Sequence, residues 1–383
     1  MTETVVVFGA SSYIGSSLAR HLAAGDHRVV GISRRPAVAR ILLPEESDRF
    51  SITTPDEAHR LIGGQPFSIV NLAFVKHALH YSPNKQNRRL ISSIASLASG
   101  RCRRLVHVST MAVFGLRFAE PPRPVRVRRP PGGNLYAEQK LQVEHAVERL
   151  GRRLGGEVAI LRPGCVIGPG SPTWVAGLAQ RMIEVRPVGF THEDGFSQAT
   201  HVDNLADYIV YLIDQPLGAL PGFGPYHHLA EFSAHPWSGL LDAISAEVGY
   251  PWTSVTRPQA PQARLPSIKR ILKTPYANTG ADRYMRVALG LLPDSETLDR
   301  LIAWVREPEP PGLDPGGDRT DFENIGLLEL LSSRHEFAPW TMPGWQPKID
   351  FATACQEIQD WLRSSAYRLP RSEGDDRGGA MRA

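Results

Sequence analysis

The stretch Thr4–Gly25, "TVVVFGASSYIGSSLARHLAAG", most restricts the fold. Thr4–Phe8 is a continuous apolar run, and a glycine-bearing turn joins it directly to a stretch of helical period ending at Gly25. A strand apolar on both sides of its pleat belongs in a parallel sheet covered by helices on both faces. A turn of this kind leaves backbone N–H groups at a helix start open to phosphate. Gly9 suits the tight bend, and Gly15 suits close packing of helix on strand. Ser12 stands where a glycine would normally let a pyrophosphate approach, and its small hydroxyl can donate to one. The alternative is a turn that does no more than link strand to helix.

The alternation continues. "RVVGIS" (28–33), "FSIVNLAF" (67–74), "RLVHVST" (104–110) and "EVAILRPG" (157–164) read as strands, with helical periods in "NRRLISSIASLAS" and "LYAEQKLQVEHAVERLG" between them. The expected fold class is α/β: a Rossmann-type doubly wound parallel sheet, residues 1–169, with a smaller, partly interleaved C-terminal substrate domain, 170–365. Helices are expected at 202–214, packing back on the first unit, at 237–249 and at 351–365, and the apolar-poor tail 366–383 is expected to be disordered. With 383 residues, 42% of them hydrophobic, the chain has ample core. A formal charge of +4 makes no general case for nucleic acid or membrane, and no run of 18 apolar residues appears. Cys102, Cys165 and Cys355 have no metal-type spacing and read as free thiols. No metal site is expected. With the first strand starting at about Thr4, a secretory signal has no room, so a cytoplasmic protein is expected.

An acid is expected about 20 residues beyond such a turn, where it would hold the adenosine ribose and repel a 2′-phosphate. That place holds Ser33, followed by Arg34 and Arg35. Arginine pairs a phosphate with a charged fork. The expected cofactor is therefore NADP, with NAD second; the alternative is two arginines in a solvated loop.

"NLYAEQK" places Tyr136 and Lys140 four residues apart, on one helical face. A phenol with an ordinary pKa of about 10 needs help to exchange a proton near neutrality, and a nearby ammonium gives it. The preceding strand, "RLVHVSTMAVFG", ends in Ser109 and Thr110 at the sheet edge where ligands bind in such folds.

With "GASSYIG", "VNLAF", Asn87 in "QNRRLI", "VHVSTMAVFG", "YAEQK", "ILRPGCVIGPG" and "THVDNLAD", the chain resembles the extended short-chain dehydrogenase/reductases, the NAD-dependent epimerase/dehydratase family, over about residues 3–215. "GWQPKIDFATACQEIQDWLR" resembles that family's closing segment. The resemblance implies Tyr136 as general acid/base, Lys140 as its partner and ribose anchor, and Thr110 as the hydroxyl orienting the substrate oxygen. Thr110 is chosen over Ser109 because it lies five residues before Gly115. It implies a cofactor site of Gly9, Ser11, Ser12, Tyr13, Ile14, Gly15, Ser33, Arg34, Arg35, Leu72, Ala73, Tyr136, Lys140 and Pro163. It also implies a homodimer, and for Asn87 either a structural or a relay role.

The departures narrow the chemistry. Met111 and Ala112 follow Thr110 where dehydratases of the family carry Asp-Glu, so water elimination is not expected. Cys165 and Ser197 stand where many nucleotide-sugar members have asparagine and arginine, which weakens the case for a diphosphate-linked substrate. Cys165 reads as a small packed residue, and His201 and Asp203 as structural, with Asp203 a candidate helix N-cap. The insert Pro121–Gly133 puts four arginines within seven residues; it either presents charge to an acidic ligand or is a proline-stiffened solvated loop. The leading expectation is an NADP(H)-dependent oxidoreductase acting on a small carbonyl or alcohol, with no nucleic-acid or membrane partner. A nucleotide-sugar epimerase with tightly bound NAD(P) comes second, and a non-catalytic NADP-binding sensor or assembly subunit third.

Overall fold

The computed structural model describes residues 3–43, 45–75, 82–98, 101–114, 126–127, 135–220, 224–256, 327–328, 330–334 and 338–365. The tail 366–383, Gly115 and all of the arginine-rich insert except Arg126 and Val127 lie outside them.

The first half runs β1 (Thr4–Phe8), α1 (Tyr13–Ala24), β2 (Arg28–Ile32), α2 (Pro36–Leu42), β3 (Phe50–Thr53), α3 (Ala58–Ile62), β4 (Phe67–Asn71), α4 (Ser82–Ala98) and β5 (Cys102–Val108). It continues with α5 (Leu135–Leu154), β6 (Glu157–Pro163), β7 (Cys165–Ile167), α6 (Ala176–Ile183), β8 (Gly189–Phe190), β9 (Ala199–His201) and α7 (Val202–Asp214). β10 (Tyr226–Leu229), α8 (Trp237–Val248), β11 (Ser254–Val255) and α9 (Phe351–Ser364) follow. Seven strands form one parallel sheet in the order β10-β6-β5-β4-β1-β2-β3. This is the doubly wound α/β fold expected. The order reverses between β1 and β4, which opens a crevice at their carboxyl ends.

β1 is buried along its whole length, as its unbroken apolar run requires. α1 and α7 cover one face of the sheet through Leu18, Leu22, Leu205, Ile209 and Leu212. α4 and α5 cover the other through Ile94, Leu97, Val143, Val147 and Leu150. A further core gathers Ile167, Leu178, Trp237, Leu240, Ile244 and Ile358 from β7, α6, α8 and α9. Arg104, 2% exposed, turns its guanidinium onto Glu157 and onto the Ile213 and Gln215 carbonyls. It thereby satisfies carbonyls that the end of α7 leaves without intrahelical partners.

Several boundaries differ from expectation. β4 stops at Asn71 rather than Phe74, because the Asn71 side chain accepts from the Ala73 N–H at 3.2 Å and turns the chain. β2 stops at Ile32, and the Ser33 hydroxyl accepts from the Arg35 N–H at 3.1 Å as the chain enters α2. The expected unit 1–169 omits the edge strand β10, whose "YHHL" lacks the β-branched run by which a strand is recognised. α7 is capped by His201, not Asp203: the His201 ring accepts from the Asp203 N–H at 3.3 Å. Asp203 instead accepts from the Ser17 hydroxyl and so ties α7 to α1.

Candidate active site

The glycine turn sits at the crevice. Gly9 has φ +81, and a Cβ there would meet the Ala73 backbone nitrogen at 2.9 Å. A Cβ at Gly15 would lie 2.2 Å from the Gly9 carbonyl oxygen. Both positions therefore need glycine, and the turn after β1 packs against Leu72 and Ala73 after β4. Ser12 is the N-cap of α1, its hydroxyl accepting from the Gly15 N–H at 3.1 Å. This is the local reason for serine: it satisfies one orphan N–H and leaves its own proton to donate outward. Ser11 is half-buried at the turn, and Ile14 anchors it in the α1–α7 core. The Tyr13 hydroxyl is buried, and burial and the Asp203 charge both raise its pKa. The turn is thus a helix N-terminus with close-packed backbone on both sides, the shape that suits a dinucleotide pyrophosphate.

At the end of β2, Arg34 and Arg35 are exposed and form no ion pair among the described residues. The Ser33 hydroxyl keeps a proton to donate, since it acts as acceptor toward Arg35.

On the other side of the crevice, α5 presents Tyr136 and Lys140. Burial pushes the Tyr136 phenol up to about 12, while hydrogen bonding to the Thr110 hydroxyl acts to lower it. Lys140 is 6% exposed and donates to the Val108 carbonyl at 3.2 Å. Burial brings its pKa down to about 8, with the Glu144 carboxylate opposing the shift. Thr110 also accepts from the Ala112 N–H at 3.2 Å, which fixes its side chain above the β5 end. Ser109 is 3% exposed, its hydroxyl buried without a partner among the described residues, so Thr110 is the hydroxyl that meets Tyr136. Pro163 closes β6 in register with Leu229.

Four neighbours escaped the sequence reading. The Phe74 ring stands edge-on to Tyr136, centroids 5.6 Å apart, and the Lys140 ammonium lies 4.5 Å above that ring. His107 is fully buried behind Lys140, within 3.0 Å of the Asn71 amide, and burial brings its pKa down to about 3. Glu144 and Arg162, both 0% exposed, pair at 2.8 Å. The last was open to inference: an arginine inside a buried strand run must have a partner, and Glu144 stands one turn beyond Lys140.

Asn87 uses its amide on one residue, accepting from the Val75 N–H at 2.9 Å and donating to the Val75 carbonyl at 3.3 Å. That clamps the segment carrying Phe74. Cys165 is 6% exposed in the further core, and the buried Ser197 hydroxyl donates to the Phe232 carbonyl at 2.8 Å. Of the insert, Arg126 pairs with Glu148 at 2.8 Å. Ligand atoms of His201, Asp203 and Glu357 lie within 4.8 Å of one another. The His201 Nδ1 accepts from a backbone N–H, so the ring proton is on Nε2, which lies 3.3 Å from a Glu357 carboxylate oxygen without meeting it in hydrogen-bond geometry.

Fold and crevice together define an NAD(P)-dependent enzyme of the extended short-chain dehydrogenase/reductase type. The chain belongs to the NAD dependent epimerase/dehydratase family, whose model matches residues 5–222, more than half of its length. No curated protein matches it. Among solved structures it is similar to the UDP-glucose 4-epimerase of Thermus thermophilus in complex with NAD, at TM-score 0.58 and 17% identity, over 94% of this chain and 99% of that one. It is also similar to Bordetella bronchiseptica WbmG in complex with NAD and UDP, at TM-score 0.56 and 15% identity, over 96% and 97%. Bacillus cereus UDP-glucuronic acid 4-epimerase, in complex with UDP-glucuronic acid and NAD, matches at TM-score 0.52 and 17% identity over 78% and 99%. Likeness at these identities establishes the fold. No helix among the described residues is long and apolar enough to cross a membrane.

Proposed function

We propose that the protein is an epimerase acting on a sugar-type carbinol carbon, with a nicotinamide dinucleotide held at the Gly9–Gly15 turn throughout turnover. The observation that carries this is the convergence of Thr110, Tyr136 and Lys140 on the crevice that the glycine turn opens. The family and the UDP-sugar epimerases of the same fold support the substrate class.

A nicotinamide bound there supplies the oxidant and reductant at carbon. Tyr136 takes the hydroxyl proton of the substrate and later returns it, while the Thr110 hydroxyl hydrogen-bonds the same oxygen. Lys140, as an ammonium, favours the phenolate that this exchange needs. Gly9, Ser11, Ser12, Tyr13, Ile14 and Gly15 form the pyrophosphate turn; Leu72, Ala73 and Pro163 line the crevice floor.

A second reading keeps the same residues and makes the protein an NADP(H)-dependent reductase of a small carbonyl. The absence of an acid after β2, with Arg34 and Arg35 exposed in its place, supports it and supports NADP over NAD. The buried, internally bonded Ser197 and the packed Cys165 support it too, because neither offers a contact to a sugar-nucleotide phosphate. A homodimer in a reducing compartment completes the proposal, the latter on the strength of three free thiols.

The test is stoichiometry. The purified protein is denatured and its released nucleotide identified, then nucleoside-diphosphate sugars are supplied with trace cofactor. Product accumulating far beyond the cofactor present, with no net nicotinamide reduction, is the result expected of the epimerase. Equimolar consumption of NADPH would replace it with the reductase.

A further inference from the structure

We propose that the buried Glu144–Arg162 pair is a positioning element for proton transfer: the Glu144 carboxylate keeps Lys140 an ammonium, and Arg162 holds that carboxylate in place. The proposal rests on the reading that Lys140 assists Tyr136.

Tyr136, Lys140 and Glu144 recur at every fourth position of α5, so they form one stripe facing the sheet. Lys140 donates to Val108 on β5, and Val108 is in register with Leu161 on β6, the neighbour of Arg162. The Arg162 fork meets the carboxylate with Nε to Oε1 at 3.1 Å and Nη2 to Oε2 at 2.8 Å. Its guanidinium carbon is also 4.2 Å from the centre of the Tyr226 ring and 5.0 Å from that of Phe114, which fixes it from the other side. A carboxylate with no exposed surface thus has one orientation, on the same helical stripe as a lysine that burial drives toward the neutral amine.

The other groups facing these residues do not supply that charge. His107 from β5 and His228 from β10 are both held near 3 by burial, so they are neutral at working pH. His227, beyond His228, is brought down to about 4 and accepts or donates at the Tyr208 hydroxyl. Burial raises the pKa of Cys165, near Tyr136, so it too is neutral. Glu148, the next acid along α5, is engaged by Arg126 and the Tyr226 hydroxyl. Arg162 brings the opposite charge but turns it onto the carboxylate, and Glu144 is the acid one helical turn from Lys140 that opposes the effect of burial.

The test reads Lys140 directly. The chain has six lysines, so ε-¹³C-lysine NMR gives few signals, and Lys140→Arg identifies the one from Lys140. In Glu144→Gln the acid constant of Lys140 should rise about tenfold or more, the midpoint falling by about one pH unit or more. Glu144→Gln combined with Arg162→Met, which leaves no orphan charge, should move the midpoint the same way. Glu144→Asp and Arg162→Met alone, which keep the carboxylate, should not lower it. If Arg162→Met lowers the Lys140 midpoint as Glu144→Gln does, the pair merely holds helix to strand and the proposal is overturned. It is equally overturned if the double variant leaves the midpoint unmoved, a comparison that stands even where a single variant does not fold. None of these readings needs turnover, so they are independent of whether Tyr136→Phe abolishes it, which tests the functional reading alone.

Discussion

The two sides of the crevice are built on opposite principles. On the α5 side the groups are buried and partnered: Lys140, Glu144, Arg162 and His107 are each no more than 6% exposed, and burial lowers the pKa of both Lys140 and His107. On the β2 side Arg34 and Arg35 stand in solvent, on a chain held by the Ser33 hydroxyl, by the Ser33 N–H bond to the Thr53 carbonyl and by the Arg35 carbonyl at the start of α2. A buried charge is controlled because water cannot compensate it; an exposed one contributes little until a ligand removes it from water. On the proposed reading the contrast separates the labour: the α5 side would determine what chemistry is done, and the β2 side would discriminate between nucleotides that differ by one phosphate.

The largest effect should come from removing what both sides share. Gly15→Val puts side-chain atoms where the Gly9 carbonyl already lies, so nucleotide binding followed by calorimetry should be lost while the fold signal by circular dichroism persists. Retained binding would mean that the turn is not the phosphate site. Next comes the buried side. Tyr136→Phe removes the proton and little volume, and turnover should fall by about 10²-fold or more with nucleotide affinity unchanged. An equal loss in nucleotide affinity would move Tyr136 from chemistry to binding.

The exposed side should respond more mildly and in another quantity. Replacing Arg34 and Arg35 with serine should weaken NADP binding by about tenfold or more, in line with a charge-assisted hydrogen bond, while leaving NAD binding within about twofold. Equal losses for both nucleotides would assign the arginines to general charge rather than to the 2′-phosphate. The smallest effect is a pH dependence. Lys140 lies at about 8, below its ordinary range, so the ammonium is present below that pH and is lost above it. Activity should therefore decline as pH rises through about 8, whereas nucleotide discrimination, carried by arginines that stay charged, should stay flat over the same range. A matching decline in discrimination would erase the division between the two sides.

The sequence made the exposed side easier to read than the buried one. The place of Ser33-Arg34-Arg35, just past β2, is legible because it depends only on position after a strand. The Tyr136–Lys140 pair is legible from helical period, whereas the strand end offered Ser109 and Thr110 alike and only the family resemblance singled out Thr110. Phe74, in the segment after β4, and His107, Glu144 and Arg162, on β5, α5 and β6, are far apart in sequence, and only packing of α5 on β5 and β6 brings them together. For the fold, β1 announced itself by its apolar run, yet β10 did not, since two histidines occupy the places where a strand would show valine or isoleucine. Both rings are buried there: one meets Tyr208 and the other packs edge-on to Phe114. A helix cap was misassigned for a related reason: aspartate is the commoner cap, but here Asp203 is drawn to Ser17 on α1, and the ring of His201 takes its place.

The central claim is that a phenol on α5 and a hydroxyl at the end of β5 act together on one substrate oxygen beside a nucleotide laid across the crevice. A structure with NAD(P) and a substrate or product analogue bound tests it most directly. The account predicts the Tyr136 and Thr110 hydroxyls both within about 3 Å of one ligand oxygen, with the Lys140 ammonium at the nicotinamide-side ribose. A ligand seated in the crevice with Tyr136 still edge-on to Phe74 and in contact with none of its atoms would contradict it.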